Sequence, residues 1–478
     1  MKSISNYING ELISPIQGKY LDLFDPSCGE VYARVPNSDI SDVEKALEAA
    51  EAAFPAWSGS SNDERSRVLY RIAELIEEKL DQLAKAESLD NGKPIWLAKK
   101  VDIPRASSNF RFFAQAITQF STHSHEMSDA INYTLRQALG VVATISPWNL
   151  PLYLFTWKIA PALAAGNTVI AKPSEVTPMS AYLLSEICIE AGLPKGVLNI
   201  VHGDGPRVGA ELSKHPRIKA ISFTGSTAVG AEIAKVCAPA FKKVSLEMGG
   251  KNPNLIFADC NYEKMLDTTI RSSFANQGQI CLCGSRILVE KSIYERFKKD
   301  FVERTKALKV GHPSDDSSNL GALVSKVHYE KVLSYIRLAK EEGGKILAGG
   351  EAVFPEAYEK GWYISPTIIE GLPQDCRTNQ EEIFGPVVTI MPFETEEEAL
   401  LYANSTEYGL SCTIWTENLS RAHRIAKNIH AGIVWINCWL LRDLRTPFGG
   451  VKNSGIGREG GFEALRFFTE PKNVCIQF

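Results

Sequence analysis

Ala138-Leu-Gly-Val-Val-Ala-Thr-Ile-Ser-Pro-Trp-Asn-Leu-Pro-Leu-Tyr-Leu-Phe-Thr-Trp157 carries no charged residue. It is about as long as the ~20 residues that a transmembrane helix needs. Pro147 and Pro151 would break such a helix, and Ser146 and Asn149 would leave polar groups unpaired in lipid. A buried strand over Gly140–Ile145 followed by a functional loop fits better, and the sequence beyond it repeats the theme. Thr168-Val-Ile-Ala-Lys172 reads as a strand, Thr177-Pro178 opens a helix that Gly192 ends, and Val197–Val201 and Ala220–Phe223 read as further strands. Strand and helix alternating at this spacing predict an α/β fold with a Rossmann-like, doubly wound parallel sheet.

Working outward, residues 41 to 120 read as helices, with Ser41 as the N-cap of the first and Leu69, Ile72, Leu75 and Ile76 one turn apart in the next. A second α/β pattern starts beyond Glu247 and runs to about 450. Residues 118 to 138 interrupt the first with polar, irregular sequence, and 463 to 478 read as a terminal strand. At 478 residues two or three domains are expected. Composition is that of a globular protein, with 44% apolar and 23% charged residues. A net charge of −4 argues against nucleic acid or an anionic membrane surface as the main partner. The ten cysteines have no framework spacing and the amino terminus is too polar for a signal peptide, so reduced thiols in a cytoplasm are expected.

Two motifs carry nucleophilic chemistry. Phe274-Ala-Asn-Gln-Gly-Gln-Ile-Cys-Leu-Cys-Gly-Ser-Arg286 sets Cys281 after a polar, glycine-containing turn, where a thiol can be exposed. Leu246-Glu-Met-Gly-Gly-Lys251 places Glu247 before a glycine pair that gives a ligand backbone room. Cys281 and Cys283 lack a second Cys/His pair at finger spacing, so no metal is expected. Phe223-Thr-Gly-Ser-Thr-Ala-Val-Gly230 is a strand end, tight turn and helix start that can meet a pyrophosphate through backbone N–H groups and the Ser226 hydroxyl. Taken singly, each of these motifs has a plainer reading: an ordinary turn, a surface glutamate, a packed cysteine.

Together the motifs resemble those of the NAD(P)-dependent aldehyde dehydrogenases, in the same order and across nearly all of the chain. The resemblance implies Cys281 as nucleophile, Glu247 as the base for a hydrolytic water, and Asn149 as a donor to the substrate oxygen. An oxyanion donor of that kind is worth roughly 3–4 kcal/mol. It implies an NAD groove built from Ile145-Ser-Pro-Trp148, Lys172, Ser174, Glu175 and Gly205. Phe223-Thr-Gly-Ser226, Val229, Met248 and Gly249 continue it, and Glu382 and Phe384 of Glu381-Glu-Ile-Phe-Gly-Pro386 meet the nicotinamide side. Glu175 would accept from a free ribose 2′-hydroxyl and repel a 2′-phosphate, which favours NAD over NADP. The family's division gives an NAD-binding domain (1–117 and 139–247), a catalytic domain (248–450) and small oligomerisation segments (118–138 and 463–478), in a homodimer or homotetramer.

Arg105, Arg442 and Arg445 flank the implied aldehyde entrance, with Phe448 closing it. Arginine forks suit an aldehyde that also bears a carboxylate. These segments look like those of the 2-aminomuconic and 2-hydroxymuconic semialdehyde dehydrogenases, and the resemblance implies Arg105 and Arg442 as substrate-binding residues while leaving Arg445 open. Ion pairs with Asp102 and Asp443 are the plainer alternative for the arginines. For the activity, the alternatives are a broad-range aldehyde dehydrogenase, a CoA-acylating relative and a non-catalytic one.

Overall fold

The uncharged stretch divides where its prolines demand. Val141–Ile145 is a fully buried strand, and Pro151 sits in the first turn of the helix Pro151–Ala164, where its missing N–H has no partner to lose. The computed structural model describes residues 2–356 and 358–478. Among them no helix is long and apolar enough to cross a membrane.

Five parallel strands form the middle of the first sheet, in the spatial order Lys243–Glu247, Ala220–Thr224, Val141–Ile145, Thr168–Lys172, Leu198–Ile200. The chain therefore winds one way from Val141–Ile145 and then the other, and the order reverses between that strand and Ala220–Thr224. A crevice opens at such a reversal, outside the carboxyl ends of the strands. Gly455–Ile456 extends one edge antiparallel, and the hairpin of Asn6–Ile8 and Glu11–Ile13 extends the other.

Alternation along the strands supplies two cores at once. Val142, Val169 and Ala171 face a cluster with Leu69, Ile72, Phe110 and Trp157, whereas Val141, Ala143 and Ile170 face Val43, Leu47 and Ile233. The second sheet repeats this: Ile256 and Ile287 pack with Phe297 and Phe301, Leu255 and Leu288 with Phe393 and Ile425. Its strands run in the order 345–348, 367–370, 387–393, 284–290, 252–256, 411–415, 433–436, and all but the first are parallel.

Three readings of the sequence are corrected here. The first helix is Ile40–Gly59 and Asp39, not Ser41, is its N-cap; the carboxylate of Asp39 accepts from Ser41 N at 2.9 Å and closes a capping box with Asp42. The interruption at 118–138 is not irregular but holds the strands Ser124–Glu126 and Ala130–Ala138. The second of these pairs antiparallel with Thr469–Gln477 over its whole length, and a short helix, Gly461–Phe467, precedes that last strand. With both faces of this ribbon largely away from the core, no apolar alternation betrays it.

Asp39→Ala removes the acceptor for the first turn. It is expected to destabilise the first sheet's unit by about 1 kcal/mol, read as a lower urea midpoint with unchanged slope; an unmoved midpoint would show that water replaces the cap without loss.

Candidate active site

The cysteine turn is an unusual piece of backbone. After the helix Tyr262–Phe274, three successive residues take left-handed conformations, with φ of 52° at Asn276, 56° at Gln277 and 69° at Gly278. Such conformations persist only where the surroundings fix them. Here Gln277 Nε2 donates to Ala322 O at 2.9 Å, and Asn276 Nδ2 donates to Gln279 O at 3.2 Å. A Cβ at position 278 would stand 2.1 Å from Gly385 O, so only glycine fits. Cys281 follows, half-buried, and its loop is pinned from below: Asn252 Nδ2 donates to Cys281 O at 2.6 Å and Trp439 Nε1 to Leu282 O at 2.9 Å. Cys283 is buried in an apolar cluster with Leu410, Trp435 and Trp439, as a packing residue.

Asn149 faces this loop from the first sheet. One N–H of its amide donates to Gln279 O at 3.0 Å, which leaves the other for a ligand oxygen. Its own carbonyl is gripped by Asn276 Nδ2 at 3.0 Å and by Lys93 Nζ at 3.2 Å. Lys93 is wholly buried and pairs with Asp102 at 2.9 Å, with Glu87 at 3.8 Å. Burial pushes the Glu87 carboxyl up to about 7.

Glu247 ends the strand Lys243–Glu247 and is 3% exposed, with neither carboxylate oxygen hydrogen-bonded among the described residues. Gly449 makes room for it, since a Cβ there would lie 2.5 Å from Oε1. Burial, then the nearby Glu459, raises its pKa well above the ordinary carboxylate value, while Lys158, Arg458 and Arg442 act the other way. Lys158 Nζ meets Glu459 at 2.6 Å and Ser222 Oγ at 3.2 Å. Burial and the carboxylates of Glu382 and Glu247 likewise raise the Cys281 thiol, so the resting sulfur keeps its proton at neutral pH.

The crevice at the strand reversal is a cavity of about 590 Å³. Ile145, Ser146, Lys172, Ser174, Glu175 and Gly205 line one side, and Phe223, Thr224, Gly225, Ser226 and Val229 the other. Lys172 Nζ holds Glu175 at 3.0 Å, and Ser226 caps the helix Thr227–Cys237 whose first turn borders the cavity. It shares Pro147 and Trp148 with a second cavity of about 250 Å³ that reaches Asn149, Met248, Gly249 and Cys281. Glu382 and Phe384 close that end. The absence of a side chain at Gly249 admits the Glu382 carboxylate, which accepts from Gly250 N at 2.9 Å; a Cβ on Gly249 would stand 2.1 Å from it. The groove thus offers a long, bent seat with a helix start in its middle and a carboxylate at each end, which suits a dinucleotide with two ribose diols and a pyrophosphate.

His328 and Lys331 also line the inner cavity, and sequence reading missed both. His328 Nε2 bonds Phe384 O at 2.7 Å, supporting Phe384 in its left-handed backbone (φ 63°), and Lys331 Nζ donates to Glu382 O at 3.1 Å. They lie three apart on the helix Lys326–Glu341, in a pattern no different from any amphipathic helix. Lys158 and Tyr153, on the helix Pro151–Ala164, were missed for the same reason, and Glu459, bridged to Phe448 in a loop, carries no motif of its own.

The arginines separate into two kinds. Arg445 is exposed and pairs with Asp443 at 2.6 Å, so it is removed from the site. Asp102 is taken by Lys93, and Arg105 has its guanidinium 5.6 Å from the Tyr153 ring instead. Arg442 is stacked between Trp157 and Phe448, at 4.3 and 3.9 Å from the ring centroids, and Nη1 donates to the Tyr153 hydroxyl at 3.3 Å. Its Nε and Nη2 are buried with no partner among the described residues.

The family model described as the aldehyde dehydrogenase family matches residues 13–474. The chain belongs to the aldehyde dehydrogenase family. It is 52% identical to the 2-aminomuconic semialdehyde dehydrogenase of Bos taurus, over 99% of this chain and 98% of the relative. It is 47% identical to the 2-hydroxymuconic semialdehyde dehydrogenase of Pseudomonas sp. (strain CF600), over 100% of both. The NAD+ complex of an aldehyde dehydrogenase from Bacillus cereus superposes with a TM-score of 0.97 at 39% identity, covering 100% of this chain and 97% of that one. The α/β fold expected from the strand and helix alternation is therefore the family's fold.

The buried, unpartnered Glu247 has a consequence for stability in this aldehyde dehydrogenase. Its folded-state pKa lies above its ordinary value of 4.5, so the folded state binds the proton more tightly and stability falls as pH rises from about that value toward the folded pKa. Glu247→Gln removes this dependence. It is expected to raise the melting temperature at pH 8 and leave it near wild type at pH 4, by scanning calorimetry; an equal shift at both would trace the effect to shape instead of charge.

Proposed function

We propose that the chain oxidises a carboxylate-bearing semialdehyde, of the 2-hydroxymuconic or 2-aminomuconic kind, to the acid with NAD. The observation that carries the substrate class is the pair Arg105 and Arg442, which meet at Tyr153; among the described residues neither makes a salt bridge, and Glu459 acts on Arg442 only from beyond ion-pair distance. Asp102 and Asp443, near them in sequence, are engaged by Lys93 and Arg445. A cationic site left open in this way accepts an anionic tail and opposes a trimethylammonium one. The names of the Bos taurus and Pseudomonas relatives agree with that chemistry.

In the proposed reaction the Cys281 thiol releases its proton to solvent water, and the thiolate so formed attacks the aldehyde carbon to make the C–S bond. The amide of Asn149 and the backbone N–H of Cys281 hold the oxygen as its charge develops. NAD, if held in this groove, would supply the hydride acceptor needed to oxidise the adduct to a thioester on Cys281. Glu247, whose proton affinity is raised by burial, takes a proton from water, whose oxygen attacks the thioester carbon. The acid leaves and the thiolate returns. Lys172 and Glu175 would hold the adenosine ribose, the start of the helix Thr227–Cys237 the pyrophosphate, and Glu382 and Phe384 the nicotinamide end. The carboxylate of Glu175 disfavours a 2′-phosphate, hence NAD over NADP. We place the enzyme in the cytoplasm as a homodimer or homotetramer, assembled through the ribbon of 124–138 and 469–477, whose Met127, Leu135 and Ile476 are exposed.

Initial rates of NADH formation test this with 2-hydroxymuconic semialdehyde against hexanal and benzaldehyde. The semialdehyde is expected to lead by at least tenfold in kcat/KM, about 1.4 kcal/mol, and Arg442→Ala to lose that lead; equal rates on neutral aldehydes in both proteins would reject the substrate class. Cys281→Ser is expected to abolish oxidation of every aldehyde, and near-normal turnover would reject the nucleophile.

A further inference from the structure

We propose that Tyr153 is a specificity-determining residue whose hydroxyl donates to the distal carboxylate of the substrate, completing a three-part seat with Arg105 and Arg442. The inference rests on the substrate class proposed above and adds a residue to it. Tyr153 touches both cations: Arg105 lies 5.6 Å from its ring and Arg442 Nη1 donates to its oxygen at 3.3 Å. That hydroxyl therefore acts as an acceptor toward Arg442. Among the described residues its own proton meets no acceptor, although a phenol offers one donor as well as its lone pairs. Accepting from a cationic neighbour polarises the O–H bond and favours an anionic acceptor, and such charge-assisted bonds are about twice as strong as neutral ones.

The surroundings fix the hydroxyl in place. Arg105 and Asn109 are one turn apart on the helix Ile103–Thr118. While Arg105 sits by the Tyr153 ring, Asn109 Nδ2 donates to Tyr153 O at 3.0 Å and to Thr156 Oγ1 at 3.0 Å. On Tyr153's own helix, Trp157 lies four residues on and forms one side of the aromatic sandwich around Arg442. Stacking both faces of the guanidinium directs its N–H groups in plane, toward the hydroxyl. Tyr153 is half-buried, as are Arg105 and Arg442, so all three sit between core and solvent rather than inside the packed interior. Arg442 lies 3.9 Å from the Phe448 ring, and Phe448 packs in the same cluster as Cys281, which ties this seat to the reacting thiol.

Tyr153→Phe keeps the ring under Arg105 and removes the donor. With 2-hydroxymuconic semialdehyde it is expected to lose at least tenfold in kcat/KM, chiefly through KM, while hexanal oxidation stays within twofold of wild type. Inhibition by the dicarboxylate product, 2-hydroxymuconate, should weaken in parallel. Wild-type behaviour of Tyr153→Phe beside an impaired Arg442→Ala overturns the role of Tyr153 alone. Indifference of both variants overturns this inference together with the substrate class. An equal loss on hexanal and the semialdehyde would mark Tyr153 as a general support of the fold and also overturn it.

Discussion

The Asn149 peptide is the joint on which the site depends. Its side chain donates into the cysteine loop, and its carbonyl accepts from Asn276 in that loop and from the buried Lys93. The first sheet carries Asn149 and Glu247 at the ends of its strands, whereas Cys281 leads into the second sheet. Neither unit alone holds the thiol, the amide and the carboxylate together. Because these bonds are made out of water, leaving any one unmade would cost the full desolvation of a polar group. The three left-handed residues of the cysteine turn are held against their own preference by the same network.

Charge is distributed on the same plan. Carboxylates crowd the thiol and the candidate base, with Glu382, Glu247 and Glu459 all acting on one another or on Cys281. Three cations, Lys158, Arg458 and Arg442, counter them at Glu247. The balance leaves Glu247 without a hydrogen-bond partner and with its pKa raised, which is a cost in stability. Enzyme sites accept such costs where a carboxylate must act as a base near neutral pH.

How legible was this in the sequence? The winding of the first sheet could be read because Val141–Ile145 and Thr168–Lys172 are apolar runs bounded by glycine and proline, and those signals are local. The groove and cysteine motifs could be read because glycines there are needed for close approach: Gly249 admits Glu382 and Gly278 meets Gly385. Long-range polar supports left no such trace. Lys93, Lys158, His328 and Glu459 are ordinary polar residues on helices or loops, and only the fold reveals that they are buried against the site. The ribbon of Ala130–Ala138 was invisible for the opposite reason, since exposed strand faces need no apolar alternation. The resemblance favoured Arg105 and Arg442 over Arg445, and the fold supplies the physical reason: Arg445 pairs with its near neighbour Asp443, whereas Arg442 lies against Phe448 and against Trp157 from the first sheet's unit.

That difference matters for how selectivity and chemistry are joined. The reacting groups stand on turns and strand ends fixed by backbone hydrogen bonds, whereas Arg105 and Tyr153 stand on helix faces that only pack beside them. Arg442 bridges the two sets, because it is among the cations that hold down the pKa of Glu247. On the proposed reading, an anionic tail seated on Arg442 offsets part of that positive charge. A neutral aldehyde would leave that charge in place. Substrate recognition and the charge balance around Glu247 thus share one residue, Arg442, so a change there is felt in both.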